Sequence, residues 1–592
     1  MPQQIFCKCR TIVQCHAMVM RFLLCLATLA LSAAAAPPLK VRGALPWHNF
    51  LEGPTAWDEE DWERYLDRMK ELDLNLLTLH CYTGGSERYV SYVEPMIRIE
   101  YRGVLPEAGF DTSLTARWGY RPLAVKDFAF DTRKLFKLPT GVEAFGARNA
   151  VLARTNRERY DGAQALIRRV FQMAHQRGIQ TAMGFEFGVY PPELFSVAPQ
   201  ASFVRGTVLP DPTHAASIEI LKITIDNILE AYPGVDQIWL WLQELKNPAA
   251  QLQLSPAFQG LMKRDGALFA GSSQTAFTGV WALAYIRAAH AYLKERSPGT
   301  RLAVSGWGGE EQLTGILGGL DRGLPRDIIL TCLNPRGGAA RQPEVMARIA
   351  KNRQAWPIPW LESDERLWHP QPRVALMRDH VGVAREQGSD GAVCIHWRTE
   401  ETRANMEAFA RYAGGAASLP STGAFYDDFC RREYGPRAGA ELAKLLTRME
   451  EESWFSVLSS PVYHPYHPNW GRMKPELRRK VADALETVER LEPSANLHSL
   501  AAGLRFTLQL DDVSAAMEPA YALKEKTTLG KAAPAEYAAA RKALAAAPME
   551  ALFRTYTGRV RSRGELGVLS SLNQRVWTQY AELQAFLARG PR

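Results

Sequence analysis

From residue 40 to about 412, short apolar runs alternate with longer segments whose apolar positions repeat at helical spacing. The runs 41–49, 74–82, 179–188, 235–244, 301–309, 327–335, 356–363 and 391–400 read as strands. After the first run, Trp62, Tyr65, Leu66, Met69 and Leu72 fall on one helix face, and 161–178 and 217–232 carry the same period. Nearly continuous apolar strands separated by helices are what a parallel sheet buried on both faces requires. Eight such units predict an α/β fold, a (β/α)8 barrel with insertions. An open doubly wound sheet would follow the same alternation, but no GxGxxG follows the first run and no P-loop occurs.

Two connections, 83–157 and 245–274, are far longer than the usual few residues. Both follow the C-terminal ends of strands, where barrel loops shape a cleft. After about 415 the strand signal stops. FYDDFCRREYG, ELAKLLTRMEEESWF and PELRRKVADALETVERL all read as helices. The expected division is a barrel over 37–415 and a helical domain over 416–592. SPVYHPYHPNWGR (460–472) interrupts the helices and is expected to pack between the domains.

The N-terminus changes the bookkeeping. Met20-Arg21, then FLLCLATLALS, then Ala33–Ala36 has the order of a secretory signal peptide, so residues 1–36 are set aside and the mature chain is expected to be exported, to the periplasm or beyond. Met18 or Met20 is an alternative start. The apolar stretch is shorter than the roughly 20 residues of a membrane span. Of eight cysteines, Cys81, Cys332, Cys394 and Cys430 remain, widely spaced, which predicts buried thiols and no disulfide scaffold or zinc knuckle. Loss of Lys8, Arg10 and Arg21 takes the formal charge from +8 to about +5. That is mild, and without basic runs or nucleic-acid motifs it points away from a nucleic-acid partner.

The chemistry-bearing residues gather at predicted strand ends: His48; His80 and Tyr82; Glu186; Gln243 and Glu244; Trp307; Glu362 and Asp364; His396, Trp397 and Arg398. Alternation puts residues two apart on one face. Small companions (Ala182 and Gly184 for Glu186, Thr78 for His80, Ala392 and Cys394 for His396) predict that Glu186, His80 and His396 point into the barrel. The same parity sets Glu244 with Leu242, Leu240 and Ile238, sending Trp239 and Trp241 toward helices. A carboxylate at the end of so apolar a run is costly unless it is paired or used. Two carboxylates across a cleft, one protonated and one ionised, are what glycoside hydrolysis needs.

QIWLWLQE and WPIPWLESDE resemble the strand-four and strand-seven acid positions of secreted (β/α)8-barrel glycoside hydrolases. The resemblance implies Glu244 as acid/base and Glu362 as nucleophile, with Glu186, His48, His80, Tyr82, Gln243, Trp307, Asp364, His396, Trp397 and Arg398 around the substrate. Gln243 departs from the Asn usual in the large retaining clan, and from the Asp-Glu of substrate-assisted β-hexosaminidases. RGALPWHNF, HCYTGG and HWRTEETRANMEAF, with a helical domain after the barrel, also resemble the α-glucuronidase-like layout. That reading makes Glu244 the acid, Glu362 or Asp364 the base, and Arg398, Arg117 or Arg42 the clamp on a uronate carboxylate. The implied partner is an oligosaccharide or polysaccharide, uronic-acid- and amino-sugar-containing glycans included, with no cofactor. Two rivals are a metal-dependent barrel hydrolase or isomerase using His48, His80, His396 and Glu186, and a carbohydrate-binding barrel without turnover. Against the metal, strand one lacks an HxH pair and no HExxH occurs.

Overall fold

The computed structural model describes residues 37–48, 54–83, 95–107, 123–137, 147–242, 252–306, 315–333, 343–363, 367–415, 420–456, 472–560 and 563–590. Eight parallel strands follow one another: β1 (Val41–Pro46), β2 (Leu76–Cys81), β3 (Gln180–Glu186), β4 (Gln237–Trp241), β5 (Arg301–Ser305), β6 (Ile329–Leu333), β7 (Ala355–Ile358) and β8 (Gly391–His396). From β1 to β7 each strand pairs with the next in sequence, and β1 pairs with β8 over six residues, from Val41↔Gly391 to Pro46↔His396. Beyond the end of β7, Trp360 bridges Ile395, with Leu361 N–H donating to the Ile395 carbonyl at 3.0 Å and Ile395 N–H to the Pro359 carbonyl at 3.0 Å. Those bonds close the barrel. Helices α1 (Glu59–Glu71), α2 (Asn156–Gln176), α3 (Ala215–Ala231), α4 (Ser273–Arg296), α5 (Gly318–Gly323), α6 (Pro343–Asn352), α7 (Val374–Glu386) and α8 (Arg403–Ala413) follow the strands in turn. Helix starts carry their own stops: the Thr155 hydroxyl accepts from Glu158 N–H ahead of α2, and the Ser272 hydroxyl from Thr275 N–H ahead of α4.

The barrel interior is filled by indoles. Trp47, Trp239, Trp241 and Trp356 cluster with Leu45, Leu76, Ala182, Ala303, Ile329, Ile358, Val393 and Ile395. Glycines make the room: a Cβ at Gly184 would stand 2.7 Å from Trp241 Nε1, and one at Gly391 2.8 Å from Trp356. Large against small is how a barrel core reaches full density. The polar edges of two indoles are satisfied inside, Trp239 by Gln237 and Trp356 by Asp390, each at 2.9 Å.

This reverses the parity expected for β4. Trp239 and Trp241 point inward, and Ile238, Leu240 and Leu242 join the cluster that includes α2, α3 and α4 side chains. The sequence reading set the parity from Glu244, which lies outside the described residues, whereas the described strand itself puts the two indoles inside. Cys81, Cys332, Cys394 and Cys430 are buried thiols, as expected.

The C-terminal helices are α9 (Thr422–Tyr434), α10 (Pro436–Glu451), α11 (Pro475–Glu489), α12 (Ala495–Thr528), α13 (Pro534–Ala545), α14 (Met549–Thr557), α15 (Leu566–Ser571) and α16 (Thr578–Arg589), with a π-helical turn, Leu572–Trp577, joining the last two. Among the described residues of this region there is no strand. The helices dock on the barrel's loop end. The Asn573 carboxamide accepts from Ala129 N–H at 2.8 Å and donates to the Thr132 hydroxyl at 3.1 Å. Arg563 donates to the Ala56 and Phe136 carbonyls at 2.9 and 2.8 Å and pairs with Asp58. Glu450 of α10 accepts from the first two N–H groups of α7, Val374 at 3.0 Å and Ala375 at 2.8 Å, so a carboxylate from the second region caps a barrel helix. No helix among the described residues is long and apolar enough to cross a membrane.

Candidate active site

The loop end of the interior is aromatic. The Trp47 and His80 rings stack at 4.3 Å and 8°. Trp241 meets both edge-on, at 5.1 and 5.2 Å. Tyr82 stands edge-on to His80 at 4.6 Å, and Trp47 Nε1–H donates to its hydroxyl at 3.3 Å. Trp360 and Trp397 lie against each other at 5.4 Å on the β7–β8 side. Glu186 ends β3 on the same inward face as Ala182 and Gly184, and register pairs it with Trp241, which in turn pairs with Ser305. Its side of the barrel adjoins Thr83, whose hydroxyl donates to the Glu186 carbonyl at 3.3 Å.

Several polar atoms on this face are buried and have no hydrogen-bond partner among the described residues: both ring nitrogens of His80, Trp241 Nε1, Ser305 Oγ, Thr78 Oγ1 and Trp360 Nε1. Native interiors satisfy nearly all such groups, so a cluster of exceptions at one end of the barrel calls for an explanation. Burial holds His80 well below its usual pKa, with the nearby His48 adding to the effect, so the ring is neutral and offers one donor and one acceptor.

Glu362 is placed differently from a bare strand-end acid. It is fully buried. Its Oε1 accepts from Trp397 N–H at 2.9 Å and Arg398 N–H at 2.6 Å, and its Oε2 from Arg398 Nε–H at 2.7 Å. Burial pushes the carboxyl up, and the Arg398 guanidinium with the two N–H groups opposes that shift. Arg398 also donates to the His369 carbonyl at 3.0 Å. Further out, Glu401 pairs with Arg559 of the helical region at 2.9 Å, and Arg559 and Arg398 together hold Glu401 below the usual carboxylate range against the effect of its burial. The guanidinium proposed as a uronate clamp is thus already committed to an internal carboxylate.

Three expected positions need correction. His396 does not face the interior. Val393, Ile395 and Trp397 take that face, and His396 turns to the helix layer, where its Nε2 meets the Tyr65 hydroxyl of α1 at 2.6 Å and its Nδ1 the Arg398 carbonyl at 3.0 Å. Small companions Ala392 and Cys394 pack under helices here, so smallness alone does not mark the inside. His48 lies with its ring 6.0 Å from Trp62 of α1, on the face opposite Trp47, and burial lowers its pKa to about 3. Arg42 sits at the other end of the barrel, bonded to the Leu39 and Asp73 carbonyls and to the Asp73 carboxylate at 2.8 Å, out of reach of any substrate at the mouth. With His396 turned away, the three histidines and Glu186 do not converge on one metal, and no group of three or more metal-ligating side chains occurs among the described residues.

Gln243, Glu244, Trp307, Asp364 and Arg117 lie outside the described residues, as does 460–471. What the sequence reading missed is the inward set of Trp47, Trp241, Ser305 and Trp360. Its signal was present: Gly184 and Ala303, small residues on the strands flanking β4, leave space that only a large β4 side chain can fill.

No family model matches the chain, and no curated protein matches it in sequence. Among solved structures it is similar to a GH138 enzyme targeting pectin rhamnogalacturonan II, at 12% identity over 94% of this chain and 85% of that one, with a TM-score of 0.44. It is similar to an O-GlcNAc hydrolase mutant of Thermobaculum terrenum, at 11% over 92% and 96%, TM-score 0.40. A third likeness is to CpGH84B, at 11% over 92% and 77%, TM-score 0.41. These are distant likenesses, and the fold stands on its own strand pairing.

Proposed function

We propose that the chain is an exported glycoside hydrolase that works at the loop end of the barrel with a carboxylate pair. The observation that carries this reading is the inward face itself: an aromatic wall of Trp47, Tyr82, Trp241 and Trp360, unpartnered hydrogen-bonding atoms, and Glu186 at the end of β3. Flat apolar rings beside a few convergent polar groups suit a ligand that is itself part apolar face and part hydroxyl edge, as a sugar is. Glu244, three residues past the end of β4, gives the proton to the leaving oxygen, and Glu186, on the neighbouring strand, is the charged partner. Export rests on the signal-like segment 18–36.

One observation favours a second reading of the pair. Arg398 at 2.7 Å is the kind of neighbour that keeps a buried carboxylate ionised, which would suit Glu362 as the nucleophile. Against it, Glu362 already accepts three hydrogen bonds. Purified mature chain is to be screened on a panel of aryl glycosides beside Glu244→Gln, Glu186→Gln and Glu362→Gln. Loss of about a hundredfold or more in kcat with Glu244→Gln and Glu186→Gln, in folded protein, supports the first pair. The same loss with Glu362→Gln at unchanged stability moves the partner role to Glu362.

A further inference from the structure

We infer that the cavity between the barrel and the helical region is a binding site, separate from the barrel interior, for one uncharged polyhydroxylated ring, a single sugar unit. The inference does not rest on the hydrolase reading. The cavity has a volume of about 130 Å³. Its walls are the segments that follow β7 and β8, the first turn of α8, Arg559 after α14, and the facing sides of α9 and α12. A cavity of about 150 Å³ takes one six-membered ring, so this one has room for one ring and not for two. It opens to the outside. Glu400 on its rim is exposed, and Arg403, Ala404, Glu433, Tyr434 and Leu500 are half-buried. Phe429 and Gln371 are buried behind them.

The lining is balanced in charge. Three guanidiniums, Arg398, Arg403 and Arg559, stand with three carboxylates, Glu400, Glu401 and Glu433. Arg559 pairs with Glu401 at 2.9 Å, and Arg403 with Glu433 at 3.0 Å and with Glu400 at 3.9 Å. Asn496 of α12 donates to Glu433 at 3.3 Å. An anion entering here meets a carboxylate for every guanidinium, and a cation meets the reverse, so neither gains a net partner. A hydroxyl is donor and acceptor at once. It can accept from a guanidinium, and its neighbour on a ring can donate to the carboxylate beside it. A guanidinium carries five N–H donors and a carboxylate about four acceptor positions, so an ion pair leaves both with capacity to spare. Phe429, Tyr434, Leu446 and Leu500 supply apolar surface for the C–H face of the same ring. Water is the competing occupant, since a polar cavity of this size can hold it.

The test is calorimetry on the full mature chain with neutral sugars (D-glucose, D-galactose, L-rhamnose and N-acetyl-D-glucosamine) beside D-glucuronate and D-glucosamine, an anion and a cation on the glucose ring at about pH 6.5. Arg403→Ala removes a rim donor, and Ala404→Trp fills the cavity from α8. Circular dichroism checks folding, and Ser499→Trp fills the same cavity from α12 if Ala404→Trp does not fold. The expected result is that a neutral sugar binds, that both charged sugars bind at least tenfold more weakly, that Arg403→Ala weakens the neutral sugar at least tenfold, and that the filled variant does not bind it. Glu186→Gln, in the barrel, is expected to leave this binding unchanged. Binding by none of the neutral sugars, equal binding of a charged one, or binding that persists in the filled variant would overturn the inference. Binding lost in Glu186→Gln would place the sugar in the barrel and overturn it as well. Sugar binding that the filled variant abolishes, with no turnover of any aryl glycoside, would remove the hydrolase reading and leave this site standing.

Discussion

At the scale of single residues, the charged groups behind the barrel mouth are bound to one another. Glu362 and Arg398 are committed to each other inside the protein, with side-chain exposures of 0% and 5%. Removing one partner strands a buried charge, so Arg398→Met should cost about 3–5 kcal/mol in urea denaturation, and Glu362→Leu/Arg398→Met together should recover much of it. An equal cost in the single and double variants would show that the pair matters only for shape. Gly184→Ala is expected to destabilise by about 1–3 kcal/mol, because the new methyl meets Trp241 Nε1 at 2.7 Å and the Leu79 carbonyl at 3.1 Å. Tryptophan fluorescence of the folded variant should shift as the Trp241 indole moves. The inward positions of His80 and Glu186 were legible from their small neighbours on the same strand. Those of Trp239, Trp241 and His396 were not, because both faces of a parallel strand are apolar and the space for an indole is set by glycine on a different strand.

At the scale of elements, all eight strands and the switch to helices were legible, because period and length agree along each segment. For β4 the parity inverted: Trp239 and Trp241 face inward and Ile238, Leu240 and Leu242 face the helices. Contacts between elements far apart in sequence left no trace in any local pattern. The cap on α7 is one. Arg373 precedes the helix without a side-chain cap, and Glu450, 76 residues from Val374, supplies the acceptor, itself held by the Tyr426 hydroxyl at 2.8 Å. Glu450→Ala is expected to cost about 1–2 kcal/mol and to speed hydrogen exchange at Val374 and Ala375 ahead of the rest of α7. Uniform loss of protection along the helix would contradict a capping role.

At the scale of the whole molecule, barrel and helical region share bonds at the loop end, through Asn573, Arg563, Arg559 and Glu450. The interior also sets a pH limit. Burial depresses His48 to about 3, His396 to about 4, and His80 well below its ordinary value. Unfolding returns all three to about 6.5, so between that pH and about 4 the unfolded chain binds more protons than the folded one. Stability therefore holds above about pH 6.5 and falls as the pH drops, by at most about 4 kcal/mol per pH unit when all three contribute. Denaturant midpoints measured from pH 8 to pH 4 should show that decline, and a flat profile would mean that none of the three rings is held neutral by the fold.

The central claim is that the loop end of this barrel hydrolyses glycosidic bonds with Glu244 as the proton donor. The most direct measurement is turnover of the aryl glycoside panel by the mature chain and by Glu244→Gln, with circular dichroism on both. The expected result is release of the aryl group from at least one glycoside, and a loss of about a hundredfold or more in kcat in a variant that is still folded. A Glu244→Gln variant that turns over the same glycoside at the same rate would contradict it.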